Sequence, residues 1–466
     1  MKKFLSIILL VSMLFSLTAC SFISLGGPQS EEINTNTGTI AGTNTDTATD
    51  TSTDSSTNTS TSTNTDVYVP PILDYDAMKY TVKYSKDKKK IYFGNYSFKA
   101  PAFTPYYNDY EAAVSMTFDD GADIAAAQVA SSIMAKYGIR GTLMVNINAI
   151  DGNLAQWQAL VNQGVLDIGS HGWAHINPYD ITTEQMEHEI KGSLEYLQKN
   201  FPNENPLTYA TPFAQITDTY EEYLKFCGFI SNRLETGGAI IKPTSENINM
   251  LRLGSSRIDV SYLPSQVQIN VASAIDTGSW FIELFHNIRT SSHSTDLPAE
   301  EFEAHCQWLY DNYNGKVWFG SYDDVSKYVA QYQTATIEYT AVDSESMTFT
   351  AKVDKNYGQE MTLKIYMPFF IDSAYAIIDG EERYLTVQKE SNARSVLINT
   401  EISEEGTEIK IVMGGNDKYL NNCTHNYVEY EVVEPTATEY GYTVMYCPNE
   451  GCGHTYKEKY TDKVTD

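Results

Sequence analysis

Apolar residues recur with different spacings along this chain, and each change of spacing marks a change of architecture. A predominantly apolar run from Phe4 to Leu17 follows Met1-Lys2-Lys3. From about Ser21 to Asp66 apolar residues become scarce, and Thr, Ser, Asn, Asp and Gly take over. Short alternating runs then begin, Tyr80-Thr81-Val82-Lys83-Tyr84 and Ile91-Tyr92-Phe93, with Ser85-Lys86-Asp87-Lys88 between them as a hairpin turn. They predict a small β extension over residues 67–107, packed on the domain that follows.

Between residues 108 and 332 two periods interleave. Ala113–Phe118, Gly141–Val145 and Val165–Ile168 are strand-like runs. Ala126, Val129, Ile133 and Tyr137 recur three to four residues apart, as on a helix that Gly138 stops. A second helix is expected over Leu154–Gln163. A third begins at Thr182, where Gln185 three residues on completes a capping box, and Met186, Ile190, Leu194 and Leu197 form its buried stripe. Strand-like units follow at Thr208–Thr211, Gly228–Ser231, Trp280–His286 and Val317–Phe319. Repeated β-α units predict an α/β fold on a parallel sheet, open or closed into a barrel. From Thr334 to about Gly415 the period is two: Met347, Phe349, Ala351 and Val353 alternate with polar residues, as do Met361, Leu363, Ile365 and Met367. Residues 334–415 therefore read as a small all-β sandwich, either a structural spacer or a glycan-binding unit.

A length of 466 residues suggests roughly three domains. With 60 Asp and Glu against 32 Lys and Arg the net charge is −28, which argues against nucleic acid or an anionic bilayer as an electrostatic partner. Neutral glycans remain compatible. Tyr occurs 34 times; aromatic faces suit sugars, and β-rich segments favour Tyr in any case.

The basic start and apolar run of residues 1–19 read as an export signal too short to span a membrane comfortably. It ends in Leu17-Thr18-Ala19-Cys20, which resembles a bacterial lipobox. The resemblance implies that Cys20 is lipidated and holds the protein to the outer face of the bacterial cell membrane, with a plain secretory signal as the alternative. Residues 20–66 cannot bury enough surface to offset chain entropy and read as a disordered tether, spanning roughly 35–40 Å r.m.s..

Chemistry concentrates in two short stretches. The strand-like run AAVSMTFDDGAD carries Asp119 and Asp120 at its end, followed by Gly121. At a strand end both carboxylates can reach one cleft, and adjacent acids repel unless a cation or a shared proton relieves them. Fifty residues on, Gly169-Ser170-His171-Gly172-Trp173-Ala174-His175 offers two imidazoles at i and i+4, expected one helical turn apart on one face. A carboxylate with two imidazoles is a three-ligand set for Zn²⁺ or a similar ion such as Co²⁺, with one position open. Trp173 either lines the cleft or packs beneath it.

TFDDG followed by SHGWAH resembles the first two motifs of the polysaccharide deacetylases with the NodB homology domain, carbohydrate esterase family 4. The resemblance covers about half the chain and implies a distorted, incomplete (β/α) barrel. It also implies Asp119 as general base, Asp120, His171 and His175 as metal ligands, and a late His as general acid. That His is His286, in Phe281-Ile282-Glu283-Leu284-Phe285-His286, with Glu283 where the family has Leu. The family's third motif supplies an Arg near a Pro-aromatic-Gly turn. Here Tyr209-Ala210-Thr211-Pro212-Phe213-Ala214 keeps Pro212 and Phe213 for the oxyanion and substrate, puts Ala210 at the Arg position and has Ala214 for Gly. Arg233 is the candidate to take the missing guanidinium's place in space. The fourth motif is not evident near Gly228–Arg233. His188, His293 and His305 read as surface residues, and Cys227 and Cys306 as buried or helix-face thiols.

The tail, residues 420–466, carries Cys423, His425, Cys447 and Cys452. These suit a second, structural zinc ion, and a disulfide is the alternative in an exported protein. The sequence thus points to a metal-dependent hydrolase that removes acetyl groups from a carbohydrate. Either an N-acetylated chitin-like or peptidoglycan chain or an O-acetylated xylan fits. The alternatives are a surface glycan-binding protein that keeps the fold without turnover, and a structural wall-associated module.

Overall fold

The computed structural model describes residues 82–461 except 94–95, 237–240, 290–293, 344, 369–370, 372, 391–392, 415–426, 437–440 and 447–454. The leader, Cys20 and the tether lie outside the described residues. So does the expected Cys423, His425, Cys447 and Cys452 set.

Seven parallel strands form the centre: β1 (Ala112–Asp120), β2 (Gly141–Val145), β3 (Leu166–Ser170), β4 (Thr208–Ala210), β5 (Ser231–Glu235), β6 (Leu253–Arg257) and β7 (Trp280–Phe285). Each pairs with the next in sequence, and β7 returns to β1 with Phe281 opposite Val114 and Phe285 opposite Phe118. The sheet is therefore a closed barrel with helices in the connections. A short strand, Val317–Trp318, adds to the start of β1.

Alternation along the strands sorts the two faces. On β1, Val114, Met116 and Phe118 face outward into a core shared with Ala130, Ile133 and Met134 of the helix Ile124–Lys136. Ala113 joins an inner cluster with Trp280, Ile282, Leu253 and Met144. The capping box at Thr182 and Gln185 is present, and Met186, Ile190, Leu194 and Leu197 are all buried.

The helix Tyr322–Thr334 closes the N-terminal end of the barrel. Ser115 Oγ donates to Gly320 O, Asp323 N donates to Thr142 Oγ1, and Tyr322 stacks on Trp280. The same helix reaches the C-terminal sheets. Tyr328 joins their core, and Gln331 Nε2 donates to Gln359 O at 2.8 Å.

Those sheets face each other. One has five strands, with Ser346–Lys352 and Thr407–Met413 near its centre; the other has four, built on Met361–Met367 and Arg394–Thr400. Met347, Phe349, Leu363, Ile365, Val396 and Ile411 are fully buried between them. Most of the β extension packs here, while Tyr106 near its end joins the inner cluster of the barrel. Ile91 and Ala100 share the core of the sandwich, and Ala102–Phe103 pairs with Lys364 and Leu363 as an edge strand.

Candidate active site

The catalytic candidates collect at the C-terminal mouth of the barrel, where strand ends leave polar groups no further sheet partner. Asp119 continues the inward set of β1 and is 6% exposed. Asp120, next along, would face outward on a regular strand. Its backbone instead takes φ 77°, which turns the carboxylate toward the same cleft. A left-handed conformation in a non-glycine residue costs of order 1–3 kcal/mol and persists only when its surroundings fix it. The fixing groups are present: Asn146 Nδ2 donates to Asp120 O at 3.0 Å, and Gly121 follows at φ 68°. A Cβ at Gly121 would come 2.9 Å from Ile150 and Val145.

His171 follows directly on β3 and is buried. Its Nδ1–H donates to Ala210 O at 2.7 Å, which leaves the Nε2 lone pair free for a ligand role. The expected helical turn between His171 and His175 is absent; the segment is a loop. Gly172 at φ 84° and His175 at φ 59° fold it back, so that the two rings meet edge to face at 4.8 Å. The i, i+4 spacing is the same as on a helix, but glycine and the left-handed His175 produce the approach.

Asp120, His171 and His175 converge. Asp120 Oδ1 lies 3.7 Å from His171 Nε2 and 3.5 Å from His175 Nε2, and the three ligand atoms all lie within 4.8 Å of one another. Ligands about 2.0–2.2 Å from a Zn²⁺ ion stand at such separations. The donor set therefore fits a divalent ion of the zinc type. Burial, with His175 and Arg233, holds His171 below its usual pKa against the pull of Asp119 and Asp120. That favours the neutral, ligating imidazole.

Asp119 stands beside this set, with Oδ2 3.8 Å from His171 Nε2. Its other oxygen, Oδ1, accepts from Arg233 Nη2. Burial works to raise the Asp119 carboxyl, but Arg233, then His171 and His286, outweigh it and hold the group below the usual carboxylate range. Arg233 itself is only 1% exposed. It lies on β5 in register with Ala210 of β4, so the guanidinium enters from the strand next to the one that carries Ala210.

Pro212 and Phe213 form a tight turn after β4. Phe213 is 56% exposed, and its ring meets His175 edge to face at 4.6 Å. Phe213 and Ala214 both have positive φ, 59° and 54°, so Ala214 adopts the conformation for which glycine is suited. His286 follows β7, half-buried, and its Nδ1 has no hydrogen-bond partner among the described residues.

Two residues were placed differently by the sequence. His305 is not on the surface: it is 1% exposed and its Nε2 lies 2.8 Å from Glu283 Oε1, itself fully buried. Phe302, Cys306 and Leu309 share the buried side of the helix Ala299–Tyr313, and His305 falls within that arc. Glu189 gave no signal at all. It is fully buried and accepts from Ala174 N at 2.8 Å and Ile176 N at 3.0 Å, the two amides flanking His175. Its neighbours Glu187 and His188 are exposed. Trp173 packs under the loop, with its ring 4.2 Å from that of His188.

Residues 107–230 match the family described as polysaccharide deacetylase. A curated relative, a gellan lyase from Bacillus sp., is 22% identical over 294 residues, which is 59% of this chain and 12% of that protein. The match thus spans about an eighth of that relative's length. Among solved structures, the peptidoglycan deacetylase PdaC from Bacillus subtilis aligns at 15% identity and a TM-score of 0.30, over 46% of this chain and 89% of its own. The Streptococcus pyogenes deacetylase PplD in complex with acetate aligns at 23% identity and a TM-score of 0.30, over 33% of this chain and 67% of its own.

Proposed function

We propose that this chain, with its polysaccharide deacetylase segment at residues 107–230, is a metal-dependent hydrolase that removes acetyl groups from a glycan at the bacterial cell surface. The observation that carries the reading is the division of labour between adjacent acids. Asp120 joins His171 and His175 in one ligand set, while Asp119, one residue away, is held by Arg233 with its second oxygen toward that set.

A divalent ion held by Asp120, His171 and His175 would supply Lewis-acid polarisation of the acetyl carbonyl and acidify water. The protein groups do the rest. Asp119 accepts the proton of the attacking water through Oδ2, while Arg233 fixes Oδ1 and keeps the carboxylate ionised. His171 is kept in its ligating tautomer by Ala210 O. His286 gives a proton to the departing nitrogen or oxygen, so that acetate and a free amine or hydroxyl are formed. Phe213 offers an exposed ring at the cleft edge for a sugar face, beside the backbone of the Pro212 turn.

Cys20 and the polar segment to Asp66 support a lipid-anchored enzyme working on glycans outside the membrane. The test is acetate release by the purified full chain loaded with Zn²⁺ or Co²⁺, on N-acetylchitooligosaccharides, on peptidoglycan and on acetylated xylan. Release from the amide substrates assigns an N-deacetylase, and release from xylan alone an esterase. Tight binding of one of these glycans without acetate would replace the hydrolase by a glycan-binding protein.

A further inference from the structure

The motif that supplies His171 and His175 does not hold its own shape. Gly172 and His175 both sit at positive φ, 84° and 59°. For His175, a residue with a Cβ, that conformation is disfavoured relative to the ordinary helical region. Something outside the loop must select it.

Glu189 is that group by position. It lies on a π-helical turn, Glu187–Gly192, inside the longer helical stretch that starts at the Thr182 cap. Such turns carry one extra residue and shift the direction of a side chain relative to a regular helix. The carboxylate is fully buried, and its two oxygens take separate amides: Oε2 accepts from Ala174 N and Oε1 from Ile176 N. The bonds straddle His175, so one rigid acceptor fixes the backbone on both sides of it. Access depends on Gly172, where a Cβ would stand 2.3 Å from Glu189 Oε1. Tyr209, whose hydroxyl would lie 3.1 Å from that Cβ and is 2.6 Å from that of Tyr220, closes the other side.

We propose that Glu189 is a positioning residue for the metal site: it fixes the left-handed His175 so that Nε2 faces Asp120 and His171. The inference rests on reading those three residues as metal ligands. Glu189 touches neither the ion nor the substrate. Its loss is expected first in metal affinity, because a misdirected third ligand weakens binding before it alters Asp119 or His286. Outer partners of metal ligands typically contribute about 10–100-fold in affinity.

The experiment is competition titration of Zn²⁺ into the full-length protein and into Glu189→Gln and His171→Ala variants, with the Co²⁺ absorption spectrum as a second readout. Gln keeps the size of Glu but offers one acceptor and one NH₂ group, so one of the two amides loses its partner. The expected result is a folded Glu189→Gln protein with Zn²⁺ affinity weakened about tenfold or more and an altered Co²⁺ spectrum. Should Glu189→Gln not fold, Glu189→Asp, too short to bridge both amides, carries the same expectation. If the wild type binds Zn²⁺, His171→Ala does not, and the folded Glu189 variant binds like wild type, the positioning role is overturned and the ligand set stands. If the wild type itself binds no Zn²⁺, both fall.

Discussion

Arg233 and Ala210 stand opposite each other in register on adjacent strands, and the guanidinium of one reaches Asp119 across the small side chain of the other. An alanine at this height leaves room inside the barrel, and the arginine from the next strand enters. Arg233→Ala leaves Asp119 buried without its cation. The predicted outcome is a loss of kcat/KM of about 10²–10³-fold with Zn²⁺ affinity largely kept. Arg233→Lys should recover only part, because an ammonium lacks the planar fork that spans the gap. Steady-state kinetics on metal-loaded protein checks both. An Ala210→Arg change in the Arg233→Ala background should restore some activity if position rather than strand of origin matters.

Asp119 and Asp120 are neighbours with separate roles, so their substitutions should fail differently. Asp119→Asn is expected to abolish acetate release while Zn²⁺ still binds. His171→Ala and Asp120→Ala should lose both metal and activity. Metal content of dialysed protein, measured beside acetate release, separates the two patterns.

Phe213 touches His175 and is otherwise open to solvent. Truncation to Ala removes a sugar-sized apolar face without altering a proton-transfer group. The expectation is a rise in KM of about 5–30-fold for an oligosaccharide, equivalent to roughly 1–2 kcal/mol, with kcat changed much less. A short acetylated monosaccharide should show a smaller effect.

The far end of the barrel carries a buried acidic cluster with a defined pH signature. Arg140 Nη2 stands 3.8 Å from Asp167 Oδ2 and pairs more closely with Asp324 through Nη1. Burial, then Asp323 and Asp324, push Asp167 well above the usual carboxylate range. Burial pushes Asp323 up to about 6 despite Lys327, whose Nζ is 2.5 Å from Oδ2. The unfolded chain releases these protons near pH 4 and the folded chain only at higher pH. Between those values the unfolded state binds fewer protons, so stability falls as pH rises and is greatest below about pH 4 for these groups. Asp167→Asn should therefore stabilise the fold at pH 8 and change it little at pH 4. Denaturant unfolding of both proteins across that range measures the difference.

Most strands of the barrel and the two acidic and imidazole motifs are legible because they depend on local pattern; β6 (Leu253–Arg257) carries too few apolar residues to be expected, and β5 runs Ser231–Glu235 where the sequence suggests Gly228–Ser231. An apolar run that ends in Asp-Asp-Gly specifies a strand and its C-terminal end within ten residues. Closure was not legible, since β7 meets β1 across more than 160 positions of sequence and nothing local distinguishes an open edge from a closed one. The His171–His175 loop was misread as a helical turn because spacing alone cannot separate i, i+4 on a helix from a loop folded by Gly172. Arg233 is legible as a candidate for the missing guanidinium, and its pairing with Asp119 agrees with that expectation. Glu189 and His305 are hidden for a shared reason: each sits beside a buried apolar residue, but a polar side chain is read as solvent-facing until its buried partner is known.

The central claim is that one divalent ion at Asp120, His171 and His175 makes Asp119 an effective base for acetyl hydrolysis. The direct measurement is acetate release from an acetylated glycan by full-length protein stripped with a chelator and then titrated with Zn²⁺. The account predicts no release from the stripped protein and recovery that saturates with a single tight ion at this site, absent in Asp120→Ala. Release that persists after stripping, or a Zn²⁺-loaded protein that frees no acetate from any of the glycans, would contradict it.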